Sequence, residues 1–200
     1  MTIAPTSVAV LAAAMALSAL PAAAQIYVTP VFGTFVRAND VKDLREEFDE
    51  QRIARAGTLA LGLNVDAGWL RGSLAYGSGA TLNERGIQNR DNIGDGSVLA
   101  VAADVIVRPL PRVLVQPYLI GGLGLKRQDY SYDRDGTGGM LSRERRDLAL
   151  HAGIGADLML GGFGIMAEIS DYITRLDDGG FGQHDAFAFA GLRVRVGGGR

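Results

Sequence analysis

The feature that most constrains the fold of this chain is a two-residue alternation of side chains, sustained over unusually long segments. Between Asp147 and Leu160, every second residue from Leu148 onward is apolar, whereas the residues between them are mostly small or polar. The stretch from Gly57 to Gly68 follows the same rule. Successive side chains of a β-strand point to opposite faces, so this period predicts strands and does not fit a helix.

Eight segments of the chain have this pattern. In chain order they are residues 25–37, 58–68, 70–80, 97–107, 113–126, 147–160, 163–174 and 185–196. Most exceed the roughly 5–6 residues of an average globular strand. They match or exceed the roughly 9–11 residues with which a tilted strand crosses a bilayer.

The connections between these segments alternate between long and short. The long, polar ones are residues 39–57, 81–96, 127–146 and 175–184, and the short ones are 68–69, 108–112 and 161–162. Short turns on one side and long loops on the other are typical of transmembrane barrels. The two-residue turns also predict the register of two hairpins, because they place Asp66 opposite Arg71, Leu160 opposite Phe163, and Ile154 opposite Ile169.

The two faces of the predicted strands differ in composition. One face is rich in Leu, Val and Ile and nearly free of charge. Besides many Gly, Ala and Ser, the other carries Asn64, Asp66, Arg71, Asp104, Gln116, His151, Asp157, Glu168, Arg193 and Arg195. Burying this polar set in the core of a soluble barrel or sandwich is costly without full pairing, whereas the lumen of a membrane barrel accommodates it. We therefore predict an all-β fold, an eight-stranded antiparallel up-and-down transmembrane β-barrel with these residues in a structural polar network.

The N-terminal segment differs from the rest of the chain. Residues 8–20 are apolar or small, and Pro21 and three alanines follow them. This pattern predicts a signal peptide over residues 1–24 and a barrel domain over 25–200, although residues 1–7 lack the usual Lys or Arg. An uncleaved anchor and a buried core helix are the alternatives. No later stretch contains the ~20 apolar residues of a membrane helix.

Composition excludes several classes of function. The chain has 20 Lys and Arg against 22 Asp and Glu, without the basic excess of nucleic-acid-binding proteins. The absence of cysteine excludes disulfides, thiolate metal sites and a cysteine nucleophile. We expect no cofactor and no nucleic-acid partner.

The motifs that resemble chemical sites are weak. The glycines of residues 121–124 lack the strand-to-helix context of a dinucleotide site. His151, placed in the lumen near Tyr172, and His184, placed in an external loop, have no serine nearby in sequence, so no catalytic residues are assigned. Residues 133–138, and the acidic group at 91–95, resemble solvated turns more than calcium loops. Residues 40–55 fit either a short helix or a solvated loop.

Two segments carry a resemblance to a known family. The run from Gln116 to Leu125, QPYLIGGLGL, and the segment from His184 to Val196 are similar to strands of the outer-membrane β-barrel superfamily, the group of OmpA-like, OmpX-like and opacity-type proteins. The resemblance implies a monomeric barrel in the outer membrane of a Gram-negative bacterium. The implied partners are outer-membrane lipid, lipopolysaccharide and, during biogenesis, the barrel assembly machinery. The chain departs from the family by ending without an aromatic residue and by placing Pro117 within a strand, where a bulge is expected.

The function expected on this basis is structural or surface-interactive, in membrane integrity or adhesion, and not catalytic. A small channel is the main alternative, and a lipid-modifying barrel enzyme is a further one. Inside the barrel, Glu168 is expected to pair with Arg193 or Arg195, because a buried unpaired charge is costly.

Overall fold

A computed structural model describes residues 25–37, 51–53, 58–84, 90–110, 113–133, 140–175 and 181–197 of the chain. The predicted signal peptide over residues 1–24, residues 134–138 of the turn predicted over 133–138, and residues 40–50 and 54–55 of the segment interpreted as helix or loop lie outside these ranges. Among the residues that the structure describes, there is no helix with the length and apolarity of a membrane span.

The described residues form nine strands. They are β1 (Ile26–Arg37), β2 (Gln51–Ile53), β3 (Thr58–Ala67), β4 (Leu70–Glu84), β5 (Arg90–Val107), β6 (Val115–Asp133), β7 (Met140–Leu160), β8 (Phe163–Arg175) and β9 (Phe181–Gly197). All eight long strands coincide with the eight predicted segments, and most of them extend further.

The eight long strands close into an antiparallel barrel. Each pairs with its neighbour in the chain, and β1 completes the ring by pairing with both β3 and β9. The short strand β2 pairs with β4 alone, beyond the last pair that β4 forms with β3. The predicted eight-stranded barrel is therefore confirmed. Closure satisfies the backbone hydrogen bonds of every strand within the ring and leaves no edge there.

The two ends of the barrel are different. At the short-turn end lie the turns at 68–69 and 161–162, the last residue of β5 and the first residue of β6, and the paired residues Ile26 and Gly197. Gly68 and Gly161 have φ angles of 65° and 70°, the left-handed conformation that tight hairpins require. The opposite end, with the long connections, is the long-loop end. The predicted pairs Asp66–Arg71, Leu160–Phe163 and Ile154–Ile169 are all confirmed.

Several segments predicted to be loops are strands. β5 begins at Arg90, so the supposed acidic turn at 91–95 is extended, and β6 and β7 pair as far as Asp133 and Met140. Residues 51–53, from the segment interpreted as helix or loop, also form a strand. The prediction ended the strands where apolar residues gave way to charged ones, but cross-strand pairing continues without an apolar face because backbone hydrogen bonds and ion pairs support it.

Pro117 produces no bulge, contrary to expectation. It pairs with Ala156 in an unbroken register. The last residue of β6 that pairs with β5 is Leu119, so Pro117 lies beyond that pair, at an edge position where proline is tolerated.

The outer face of the barrel is apolar over a continuous belt. On β7 the outward residues from Leu148 to Leu160 are apolar, and Ile154, at the centre of this run, is 60% exposed. These twelve steps of about 3.3 Å, at the tilt of barrel strands, correspond to a height of roughly 30 Å. Above Leu148 the next outward residue is Arg146, which ends the belt.

Candidate functional site

The lumen at the short-turn end is built around Asp66. The tight turn at 68–69 sets Asp66 of β3 directly opposite Arg71 of β4, and both side chains point inward. Arg71 donates two hydrogen bonds to the Asp66 carboxylate, from Nε to Oδ1 at 2.6 Å and from Nη2 to Oδ2 at 3.1 Å. A bidentate pair of this kind is strong and fixes the orientation of both groups.

Two further arginines share the same carboxylate. Arg108 and Arg193 place Nη atoms 2.8 Å and 2.5 Å from Asp66 Oδ2. The same two groups lie 3.4 Å and 3.2 Å from Oδ2 of Asp157 on β7. Arg108 was not predicted here, because it was assigned to a short turn. From this turn the Arg108 side chain extends back beneath the lumen to Asp66 and Asp157. The alternation of side chains along a strand does not predict the direction of a side chain in a turn.

Arg71 also connects Asp66 to Glu168 on the other side of the lumen. Its Nη1 pairs with Glu168 of β8, and the Tyr118 hydroxyl donates to the same carboxylate at 2.8 Å. Gly155 makes room for this ring, since a Cβ there would lie 2.3 Å from Tyr118 Cζ.

The predicted pairing of Glu168 with Arg193 or Arg195 is therefore wrong. Arg193 pairs in the sheet with Gly164, four residues below Glu168, which corresponds to a separation of about 13 Å along the strand. Arg71, from the opposite wall, is within reach.

These residues form what we call the base cluster. Its members are Asp66, Asp157, Glu168, Arg71, Arg108 and Arg193. Three carboxylates face three guanidinium groups, so the cluster is electrically balanced. This balance matters because an uncompensated charge in a narrow lumen is expensive.

A second layer crosses the middle of the lumen. Asp104 of β5 accepts a hydrogen bond from Ser73 at 2.8 Å and lies 2.8 Å from Nδ1 of His151. The His151 ring stacks on Tyr172, with 4.1 Å between centroids. The sequence placed these two residues near each other, and the contact between them is between ring faces. Tyr172 in turn meets the ring of Phe187 edge-on.

A third layer, the upper cluster, lies towards the long-loop end. It consists of Lys126, Gln128, Thr174, Gln183 and Asp185, all of them buried. Lys126 pairs with Asp185 and lies 3.1 Å from the Thr174 hydroxyl, and Gln183 donates to Gln128 at 3.2 Å. The sequence analysis missed this cluster. Continuing the inward alternation of β6 and β9 past the ends assigned to them would have found it.

Below the base cluster, a cavity opens at the short-turn end. It has a volume of about 470 Å3. This cavity, which we call the vestibule, is lined by Gln25, Tyr27, Asp66, Gly68, Arg108, Gln116, Met159, Gly161, Arg193 and Arg195.

No family model and no curated protein matches the sequence. Neisserial surface protein A superposes with a TM-score of 0.57 at 15% identity, covering 86% of this chain and 97% of that one. The outer membrane protein OprG of Pseudomonas aeruginosa gives 0.54 at 14% identity, with 87% and 98% covered.

A third solved structure agrees with these two. Ail, the attachment invasion locus protein of Yersinia pestis, gives a TM-score of 0.51 at 16% identity, with 87% of this chain and 99% of that chain covered. The chain has the fold of the small outer-membrane β-barrels. The apolar belt corresponds to the face with which barrels of this fold meet lipid.

Not all predicted lumen residues of this barrel join one network. Asp66, Arg71, Asp157, Glu168 and Arg193 meet in the base cluster. The pair of Asp104 and His151 forms the separate middle layer, while Gln116 and Arg195 line the vestibule instead.

The sequence analysis placed His184 in an external loop, and this prediction is wrong. It lies in β9 opposite Ile173, and its Nδ1 is 2.6 Å from Asp171 Oδ2 on the outer face of the barrel. The residues directly opposite this pair, Ile173 and Ala186, carry no nucleophile. Within the described ranges, no three His, Asp or Glu side chains are grouped to hold a metal ion.

Proposed function

We propose that this chain is an outer-membrane protein of a Gram-negative bacterium with a structural and surface-contact role, and that it is neither a channel nor an enzyme. The short-turn end faces the periplasm and the long-loop end faces the outside, as is usual for such barrels. The observation that carries the proposal is a projecting sheet above the apolar belt, combined with a filled lumen.

The projecting sheet is formed by the upper parts of β5, β6 and β7. The last apolar outward pair is Leu125 with Leu148, and the pair above it is Arg127 with Arg146. From there β6 and β7 stay paired to Asp133, a further six residues or about 20 Å of strand. β5 accompanies β6 as far as Gly94. Crossing the bilayer does not require this length, so we assign it to contacts outside the cell.

One edge of the projecting sheet is open among the described residues. The last pair between β7 and β8 is Ala149 with Thr174, so the part of β7 from Met140 to Leu148 has no described neighbour on that side. The sequence of this part includes five consecutive charged residues, Arg143 to Asp147, and Arg146 pairs with Glu144 at 2.7 Å. Charges on an open edge oppose indiscriminate strand pairing and leave a polar surface for a specific partner.

Lipopolysaccharide is the proposed lipid partner. Arg127 and Arg146 lie directly opposite each other on the outer face just above the belt, at the height of lipid headgroups. Glu144 contacts both guanidinium groups, at 3.0 Å and 2.7 Å. Phosphate groups suit the fork of arginine, so they compete with Glu144 for these positions. Because the ring of strands is closed, we further propose that the barrel is a monomer.

The surface-contact role is tested by shortening the projecting sheet. Asp129 and Glu144 are direct partners, so replacing residues 130–143 by Asn-Gly joins them through a two-residue hairpin. The upper cluster and the belt remain intact. We expect cells that display this variant to lose most of the adhesion or aggregation conferred by the full-length protein, with a reduction of at least tenfold.

The control is the folded state of the shortened barrel. Its heat-dependent mobility shift in gel electrophoresis and its surface level must equal those of the unmodified protein. A shortened barrel that is folded, displayed and still fully adhesive contradicts the surface-contact role.

The channel alternative predicts conductance, and we expect none of porin size. Eight strands enclose an interior that side chains fill. Here the base cluster, the middle layer of Asp104 and His151, and the upper cluster follow one another along the lumen. Purified barrel in planar bilayers is expected to show no stable porin-sized steps, and liposomes containing it are expected not to swell in monosaccharides. A larger porin serves as the positive control. Frequent, stable steps or swelling would favour the channel.

A further inference from the structure

We propose that the vestibule is a binding site for a small oxyanion, a phosphate- or carboxylate-bearing solute of the periplasm. The cavity of about 470 Å3 lies within the roughly 300–1,000 Å3 typical of small-molecule sites. It is open at the short-turn end. This site is separate from the projecting sheet, so it goes beyond the surface-contact role and does not depend on it.

The lining of the vestibule has more positively charged side chains than negatively charged ones. Three of its lining side chains, Arg108, Arg193 and Arg195, are guanidinium groups, and the lining carboxylate is Asp66. Asp66 is already held by arginines on both oxygens, including Arg71 from above. The base cluster, which includes Asp66, Arg108 and Arg193, is balanced as a whole, so the net positive charge of the vestibule is that of Arg195.

Arg195 is the surplus charge. The base cluster balances three carboxylates with three guanidinium groups without it. In the described part of the chain, Arg195 forms no ion pair, and it occupies an exposed position in the vestibule wall opposite Tyr27. A fork-shaped donor of this kind, directed into a recess, matches the two oxygens of a carboxylate or phosphate.

The other walls hold the cations in place and supply neutral polar groups. The Arg193 guanidinium lies over the Tyr27 ring, 4.3 Å from its centroid, and the Tyr27 hydroxyl donates to Gln25 at 2.7 Å. The Arg108 side chain is 16% exposed, so part of it reaches the cavity while it remains paired. Gln116, on the β6 wall, adds an amide that donates to an oxyanion. The site is thus preorganised for an anion rather than a cation.

The test is calorimetric titration of the mature barrel, refolded in a non-ionic maltoside detergent at low salt. Phosphocholine detergents and phospholipids are left out because their headgroups carry phosphate. The probes are inorganic phosphate, citrate and, as a neutral control, glucose. Backbone amide NMR shifts locate the binding, and those of Tyr27 and Arg195 are expected to move. We expect saturable binding of phosphate or citrate and none of glucose.

The decisive variant is Arg195→Gln. Its matched control is Arg145→Gln, which changes an arginine that pairs with Asp147 at the other end of the barrel. We expect Arg195→Gln to weaken binding at least tenfold, with an unchanged heat-modifiable fold, and Arg145→Gln to change it less than twofold. Binding of only one probe assigns the ligand to phosphates or to carboxylates. The proposal is overturned if neither probe saturates, or if Arg195→Gln binds as tightly as the unmodified barrel.

Discussion

Replacing Asp66 by alanine is expected to lower the free energy of unfolding of the barrel by about 3–5 kcal/mol, the range for breaking a buried ion pair by removing one partner. Asp66 is 1% exposed and contacts Arg71, Arg108 and Arg193. Without it, three guanidinium groups face only two carboxylates in the base cluster. The measurement is equilibrium unfolding by urea in lipid vesicles.

Two further variants separate charge from other effects. Asp66→Asn keeps the size of the side chain and one acceptor oxygen but removes the negative charge. If charge is the cause, the free energy of unfolding is expected to fall by nearly as much as in Asp66→Ala. Asp129→Ala removes an ion pair with Arg127 that lies half exposed above the belt, and it is expected to cost about 0–1 kcal/mol. An Asp66→Ala barrel that is as stable as Asp129→Ala would show that the base cluster contributes little.

Replacing Ile154 by arginine is expected to cost about 2–4 kcal/mol, the range for a cation on the lipid face at the bilayer midplane. Ile154 stands at the centre of the apolar run on β7 and is 60% exposed on the outer face. Its partner in the sheet, Ile169 of β8, is exposed on the same face. The arginine would therefore meet hydrocarbon, with no polar group beside it on the neighbouring strand.

Leu148→Arg is the matched control for this change. It makes an almost identical substitution on the same strand and face, but at the end of the belt next to Arg146. There the cost is expected to fall to about 0–1 kcal/mol, because the side chain reaches the polar interface. Both variants are measured as folding free energies in the same vesicles. Equal costs at the two positions would contradict the assigned depth of the belt.

Local patterns were sufficient to predict the wall of the barrel. Each long strand coincides with an alternating segment of sequence, and the two-residue turns set the register of two hairpins correctly. Both properties are local: side chains alternate along any strand, and a two-residue turn permits one register. The division between the lipid face and the lumen follows from the same alternation.

The ends of the strands and the upper cluster were not predicted, because the alternation between apolar and polar residues weakens beyond the belt. Once β6 leaves the apolar belt, its outward residues become charged, as Arg127 shows, and the contrast between the two faces fades. The strand was therefore ended at Lys126, although pairing continues to Asp133. With the strand cut short, Gln128 was left in a loop and the cluster around Lys126 and Asp185 went unnoticed.

The sequence by itself determined the fold class, the position of the eight strands, the pairing of neighbours and, within the predicted segments, the inward or outward side of each residue. Only the tertiary structure decided which charges meet across the lumen. Arg71 reaches Glu168 from four strands away, and Arg108 returns from a turn to join them. Such contacts depend on the stagger with which the sheet closes into a barrel and on the length of the side chains. The alternation of apolar and polar residues along a single strand predicts neither of them.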